Sequence, residues 1–160
     1  MQRLVLICRH AETHEPYPLQ PDFERELTKN GLQQAHQTGL WLRENYRKVD
    51  AILASPAKRT AATACTLAQR LYFEEENISF DPDLYNAREA NLENALGKLP
   101  DEVKIVLLVA HNPGVTQLIR NLTEQRIPYL DPANVVAVSL DIEKWEEIHS
   151  VTGRIEKQNM

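Results

Sequence analysis

Two apolar stretches decide the fold of this chain: Leu4-Val5-Leu6-Ile7-Cys8, which runs into Arg9-His10, and Ile105-Val106-Leu107-Leu108-Val109-Ala110, which runs into His111. Continuous apolar runs of this length are typical of strands covered on both faces, as in a parallel sheet. Each run is followed by a loop that carries a histidine. Because ligands of such sheets bind beyond the carboxyl ends of the strands, we expect both imidazoles to lie over one crevice.

Length and composition limit the class of protein. The chain has 160 residues, of which 42% are hydrophobic, so we expect residues 1–160 to form one domain around one core. The net charge of -5 disfavours a nucleic-acid partner. With no apolar stretch near the ~20 residues of a membrane span and no signal segment before the first strand, we expect a cytoplasmic protein without a membrane partner. Cys8 and Cys65 are expected to be reduced packing residues.

Strand and helix patterns alternate along the rest of the chain. They predict a three-layer α/β/α fold with a mostly parallel central sheet and helices on both faces. A third strand is predicted over residues 49–54, and a terminal β-hairpin at the sheet edge over residues 135–140 and 145–151, followed by a polar tail. Three helices are predicted to start at an N-cap on Thr28, at Ser55-Pro56 and at Asn112-Pro113. A further short helix is predicted over residues 92–99.

Three loops of this fold converge on the carboxyl edge of the sheet. They carry Arg9-His10, the segment 55–59 with Arg59, and His111-Asn112. The second and third loops also open helices, whose free N–H groups and dipole favour an anion. Arginine and histidine side chains add donors and positive charge in an otherwise acidic protein. A phosphate group is therefore the ligand that this pattern indicates.

Four segments of the chain resemble, in order, the signatures of the histidine phosphatase superfamily. They are RHAET at 9–13, LTKNG at 27–31, SPAKRT at 55–60 and VAHNPG at 109–114. The compact length and the stretch RELTKNG from Arg25 are most similar to the small SixA-type phosphohistidine phosphatase branch. Ala11 stands where the common family form has glycine, which adds one methyl group beside the histidine.

The resemblance implies roles for the residues that match. His10 would attack phosphorus and form a phosphohistidine intermediate that water hydrolyses. Arg9, Arg59 and a protonated His111 would lower the pKa of His10 and hold the phosphoryl oxygens. Arg25 and Asn112 would help to bind the substrate, and neither a metal nor another cofactor is implied.

The acid that protonates the leaving group is less well defined. Larger members of the superfamily use a carboxylate after the Arg59 helix, and Glu89 is the nearest candidate here. A protonated imidazole leaves without much help, so a phosphohistidine phosphatase could work with a weak acid or none. We expect Glu12 to brace the Arg9-His10 loop and not to transfer protons.

Two classes of function follow. The first is an enzyme whose substrate is a phosphorylated protein, such as a histidine phosphotransfer domain, or else a small phosphoester. The second is a catalytically silent module that binds a phosphorylated partner. Such a module is expected to lose its nucleophile, whereas His10 is present. The sequence therefore favours the enzyme.

Overall fold

A six-stranded sheet forms the centre of the protein, which a computed structural model describes for residues 2–159. The strands are β1 (Gln2–Arg9), β2 (Ala51–Ala54), β3 (Ser79–Phe80), β4 (Ile105–Ala110), β5 (Val135–Asp141) and β6 (Arg154–Gln158). Their order across the sheet is β3-β2-β4-β1-β5-β6. The first four of these run parallel, while β5 and β6 are antiparallel to their neighbours. The predicted mostly parallel sheet with an antiparallel edge is confirmed.

Helices cover both faces of the sheet. They are α1 (Lys29–Tyr46), α2 (Lys58–Arg70), α3 (Glu89–Gly97) and α4 (Gly114–Thr123). Side chains of β1 alternate between two buried clusters, because successive residues of a strand point to opposite faces. Leu6 packs in the cluster with residues of α1 and α2, and Ile7 in the cluster with residues of α3 and α4. The predicted three-layer arrangement follows from this alternation.

The register of β1 and β4 positions the two histidine loops. The strands pair in parallel with Arg9 opposite Ala110, so His10 and His111 leave the sheet side by side. On its other side β1 pairs with β5 along the whole length from Gln2 to Cys8. β1 is thus held by hydrogen bonds on both edges, which fixes the position of the residue that follows it.

The first turn of α2 differs from the prediction. The helix begins at Lys58 and not at Ser55-Pro56, and its N-cap residue is Ala57. The Ser55 hydroxyl instead lies 2.8 Å from Nε2 of His111. The backbone carbonyl of Ser55 accepts a hydrogen bond from the hydroxyl of Thr60. The serine is therefore held by tertiary contacts. At the other predicted start, α4 begins one residue after Pro113.

The terminal hairpin uses a different second strand from the one predicted. Residues 145–150 form a 3₁₀ helix that buries Trp145 and Ile148, and the Trp145 indole donates to the carbonyl of Val103 over 2.8 Å. The second strand of the hairpin, which pairs with the outer edge of β5, is β6, within the segment predicted to be a polar tail. The large apolar side chains of 145–151 anchor a connection, while the polar β6 forms the exposed edge. The two-residue strand β3 was not predicted.

Both cysteines are free thiols in the structure. Cys8 is fully buried, and burial raises the pKa of its thiol to about 12, so it packs as a protonated thiol; Cys65 is half-buried and also forms no disulfide. Within residues 2–159, no helix is both long enough and apolar enough to cross a bilayer.

Candidate active site

His10 lies directly beyond the end of β1 and is 8% exposed. Its backbone N–H donates to the carbonyl of Ala110 over 3.2 Å, and its own carbonyl accepts from the amide of Ala133 over 3.1 Å. The ring is fixed by a 2.8 Å hydrogen bond between Nδ1 and the carbonyl oxygen of Ala11. Since a carbonyl oxygen can only accept, Nδ1 carries the proton. In the neutral ring the lone pair is then on Nε2.

The surroundings of His10 keep the ring neutral. The pKa of His10 is lowered to about 4, mainly by burial; the positive charges of Arg59, Arg9 and Arg25 also lower it, while the hydrogen bond to Ala11 opposes them. The sequence predicted a lowered pKa but attributed it to cations. The main cause in the structure is the removal of the ring from water, which disfavours the charged form.

His111 follows β4 and is 3% exposed, with its ring centroid 5.5 Å from that of His10. Its Nε2 bonds to Ser55, and its Nδ1 is buried without a hydrogen-bond partner among residues 2–159. Burial first, then the charges of Arg59 and His10, lower the pKa of His111 to about 3. This pKa contradicts the expectation that His111 is protonated. The unpartnered Nδ1 marks a position where a ligand atom would complete the hydrogen bonding.

Arg59, the second residue of α2, is 3% exposed, and its charge lowers the pKa of both histidines. Its Nη1 donates to the backbone carbonyl of Asp22 over 2.8 Å, and its Nη2 donates to Oδ2 of Asp22 over 2.9 Å. A weaker bond of 3.4 Å runs from Nη2 to Oδ1 of Asn86. The guanidinium also lies over the ring of Tyr85, 5.9 Å from its centroid. These contacts hold a buried positive charge in one orientation.

Arg9 and Asn112 meet at the backbone carbonyl of Leu130. Nη1 of Arg9 donates to it over 3.0 Å and Nδ2 of Asn112 over 2.9 Å. Oδ1 of Asn112 accepts from the hydroxyl of Thr116 over 2.7 Å. Burial lowers the pKa of Arg9, against the nearby charge of Asp131, but an arginine remains protonated at neutral pH. The side chain of Asn112 thus connects the segment at Leu130 to Thr116 of α4.

Arg25 reaches the site from the long loop between β1 and α1. Its Nη2 donates to the hydroxyl of Thr13 over 2.7 Å, and its Nη1 pairs with Oδ1 of Asp22 at 3.4 Å. Its positive charge acts on the pKa of His10. The sequence-predicted cations Arg9, Arg25 and Arg59 therefore all lie close enough to influence this ring.

The two carboxylates singled out in the sequence have different surroundings. Glu89 is the first residue of α3, and its Oε2 is buried with no hydrogen-bond partner among the described residues. No hydrogen bond or ion pair joins Glu89 to His10 or His111 within that same part of the chain. Glu12 accepts from the Thr28 hydroxyl over 2.7 Å and from Asn30 over 3.3 Å, so it braces the loop as expected.

The brace requires glycine at position 31. A Cβ there would lie 2.2 Å from the carbonyl oxygen of Glu12, far inside van der Waals contact. The amide of Gly31 also donates to the side chain of Thr28 over 2.8 Å, which confirms the predicted N-cap. On the other side of the loop, the amide of Ala11 donates to the Thr63 hydroxyl over 3.0 Å. The loop that carries His10 is thus fixed by both α1 and α2.

Sequence reasoning missed Asp22 and Tyr85. The Tyr85 hydroxyl donates to Oδ2 of Asp22 over 2.5 Å, and its ring lies 5.6 Å from that of His111. Asp22 is 37 residues from Arg59 and 63 from Tyr85, so no local pattern joins them. The one available signal was the position of Asp22 three residues before Arg25, the spacing of a short-range ion pair.

Comparisons with known proteins agree with this architecture. Residues 5–104 match the family model of the histidine phosphatase superfamily, branch 1. The chain belongs to that superfamily. Its structural neighbours include phosphatases. A protein histidine phosphatase SixA, solved with tungstate, shares 25% identity and a TM-score of 0.81, with 99% of this chain and 96% of that chain covered. Together with the matching fold and length, this likeness assigns the chain to the SixA-type branch.

Other relatives extend the comparison. An uncharacterized protein of Mycobacterium leprae is 26% identical over 151 residues, covering 88% of this chain and 91% of that protein. A mycobacterial glucosyl-3-phosphoglycerate phosphatase has a TM-score of 0.72 at 16% identity, with 98% of both chains covered, which shows a shared fold. Similar folds therefore occur in phosphatases with different named substrates.

Proposed function

We propose that this protein removes phosphate from phosphohistidine on a protein, such as a histidine phosphotransfer domain, through a phosphohistidine intermediate on His10. One observation carries the proposal. The Nδ1–H of His10 donates to the Ala11 carbonyl at 2.8 Å, which directs an unprotonated Nε2 away from the loop in a ring whose pKa is about 4. A buried, neutral and oriented imidazole is what a nitrogen nucleophile requires.

The reaction would proceed in two displacements. In the first, Nε2 of His10 forms a bond to phosphorus, the substrate's P–N bond breaks, and its electron pair returns to the substrate's imidazole nitrogen. In the second, a water oxygen bonds to phosphorus and the P–Nε2 bond breaks, releasing phosphate. The Nδ1–H bond to Ala11 keeps the phosphorylated ring protonated, so His10 is itself a good leaving group in the second displacement.

The surrounding side chains would stabilise the transferring phosphoryl group. Arg9 and Arg59 supply fixed positive charge. A phosphoryl oxygen would accept a hydrogen bond from Nδ1 of His111, which has no partner among residues 2–159. A bound phosphate would raise the pKa of His111 by its negative charge, so the ring could become protonated on binding. Arg25 would add long-range attraction from the loop. Preorganised donors of this kind are usually the largest contribution to phosphoryl transfer.

The carboxylates near the site favour an imidazole as the leaving group. Glu12 is bonded to Thr28 and Asn30, and Glu89 makes no hydrogen bond or ion pair with the histidines in the described part of the chain. The hydrogen bond from Tyr85, and then the bond from Arg59, hold the pKa of Asp22 well below its usual range, so it remains ionised. A substrate whose leaving group needs no strong acid suits this arrangement. We further propose that the whole chain acts as one cytoplasmic domain that needs no cofactor.

The proposal is tested by phosphate release from a phosphohistidine protein and from phenyl phosphate, for the wild type, His10→Ala and His14→Ala. His14 is the matched control because it is exposed on the same loop. We expect His10→Ala to abolish release and acid-labile phosphorylation of the enzyme, with His14→Ala unchanged and turnover insensitive to EDTA. Preferred turnover of phenyl phosphate would instead identify a small-phosphoester phosphatase. Binding of the phosphoprotein without any turnover would identify a silent module.

A further inference from the structure

Asp22 places an ionised carboxylate at the entrance of the site. Its side chain is 45% exposed, whereas that of Arg59, to which it is bonded, is 4% exposed. Asp22 therefore lies on the solvent side of the buried guanidinium. Tyr85 joins it to the centre of the site, because the ring of Tyr85 packs on His111 and its hydroxyl bonds to Asp22. The neighbouring Phe23 packs edge-on against Tyr85, with ring centroids 5.1 Å apart.

Asp22 lies on the solvent side of the site, which is the side toward which a leaving group departs. In a displacement at phosphorus the attacking and leaving atoms lie roughly in line. Because His10 attacks from the floor formed by β1, the leaving group must depart toward solvent. A substrate carried on another protein also has to extend in that direction. Asp22 pairs here with two of the arginines of the site, Arg59 and Arg25.

A carboxylate here has opposite effects on nitrogen and oxygen leaving groups. A phosphohistidine ring reacts when its other nitrogen is protonated, because breaking the P–N bond then releases neutral imidazole. A nearby negative charge favours that protonated form and raises its pKa. In a phosphate ester, negative charge develops on the departing oxygen as the P–O bond breaks. The same carboxylate repels that charge.

We propose that Asp22 is a specificity-determining residue that selects a cationic imidazole leaving group and rejects an oxygen leaving group. The inference rests on the proposed function and adds the reason for its substrate class. The ionised state of Asp22 is maintained by its partners, since Tyr85 and Arg59 both donate to the same oxygen. Their bonds can be retained by an amide oxygen, which makes Asp22→Asn a substitution that removes the charge with little change of shape.

The test compares kcat/KM for a phosphohistidine protein and for phenyl phosphate in the wild type, Asp22→Asn, Asp22→Glu and Asp83→Asn. Asp83 is the control for the change in net charge, because it is exposed and its carboxylate makes no described contact with the site. We expect Asp22→Asn to lower kcat/KM about tenfold for phosphohistidine and to raise it for phenyl phosphate, as for loss of one nearby charge. Asp22→Glu should retain most of the discrimination, and Asp83→Asn should leave both values unchanged.

The pH profile separates this role from a structural one. With phosphohistidine, the activity of Asp22→Asn should fall off at a pH about one unit lower than that of the wild type. The variant lacks the negative charge that raises the pKa of the substrate ring. A fall of equal size on both substrates, with an unchanged pH profile, would mean that Asp22 only positions Arg59 and would overturn the inference. An equal rise on both would identify Asp22 as a competitor of phosphate and would overturn it as well.

The outcomes also distinguish this inference from the proposed function. A wild-type enzyme that prefers phenyl phosphate would refute both of them. A wild-type enzyme that prefers phosphohistidine, combined with an Asp22→Asn variant that keeps the same preference, would refute the role of Asp22 alone. Circular dichroism and the urea midpoint of each variant report whether folding is intact.

Discussion

The two buried histidines should make the folded protein sensitive to mild acid. In the folded state the pKa of His10 is about 4 and that of His111 about 3, both lowered first by burial. In the unfolded chain both return to the ordinary value of about 6.5. Below that value the unfolded chain binds protons that the folded protein does not, so the free energy of unfolding decreases as the pH falls. Well above it neither histidine contributes any pH dependence.

The magnitude follows from the difference in proton binding. Each full unit of pH in this interval costs about 1.4 kcal/mol per histidine. From pH 7 to pH 5, where the unfolded-state titration is partly complete at the start, each histidine should lower the free energy of unfolding by about 2 kcal/mol and the pair by about 4 kcal/mol. This is between about a quarter and four fifths of the 5–15 kcal/mol typical of a folded domain.

Urea unfolding at pH 7 and pH 5, followed by tryptophan fluorescence, measures this change directly. In His10→Gln the decrease between the two pH values should be about half that of the wild type. In the double variant with His111→Gln it should nearly vanish, whereas His14→Gln, on the exposed loop, should behave as the wild type. The double variant could be less stable at both pH values, but only the difference between them is at issue. A double variant with the wild-type pH dependence would show that neither ring is held neutral by the fold.

Three further substitutions test the contacts that support the site. Gly31→Ala should displace the His10 loop, because the new Cβ meets the Glu12 carbonyl at 2.2 Å; we expect a loss of about 1–3 kcal/mol by urea unfolding and a lower kcat. Arg59→Lys keeps the charge but loses the two-pronged hydrogen bonding, so kcat should fall about a hundredfold while the urea midpoint changes little. Arg3→Met removes a buried guanidinium from three backbone carbonyls at the opposite end of β1 and should cost about 3 kcal/mol without changing the KM of the remaining folded enzyme.

The sequence predicted those parts of the fold that depend on local patterns. The apolar runs of β1 and β4 and the cap at Thr28 are properties of a few consecutive residues, and the structure confirms them. The prediction that residues 145–151 form the second strand of the hairpin was wrong, because there the apolar residues do not mark the strand. Trp145 is apolar and buried in a connection, while β6 is polar and exposed at the sheet edge. An edge strand does not need an apolar face, so it leaves little signal.

The site was predictable in its cations and histidines and unpredictable in its charge state. Arg9, His10, Arg59 and His111 are brought together by strand ends and helix starts that the sequence reveals. The neutral state of His111 depends on how deeply the fold buries it, which no spacing encodes. Asp22 joins Arg59 through the conformation of a long loop, and such a contact arises from tertiary structure alone.

The strand that carries His10 has a consequence for how the substrate range of this protein could be altered. β1 is paired along both edges, with β4 on one side and β5 on the other, so the backbone that leads to His10 is held in place. The loop between β1 and α1 is exposed at residues 14–19 and 21–23, so it tolerates change with less disturbance of the core. An engineer who wishes to change the molecules accepted by this scaffold should therefore vary the length and residues of that loop around Asp22, and keep the strand ends as they are.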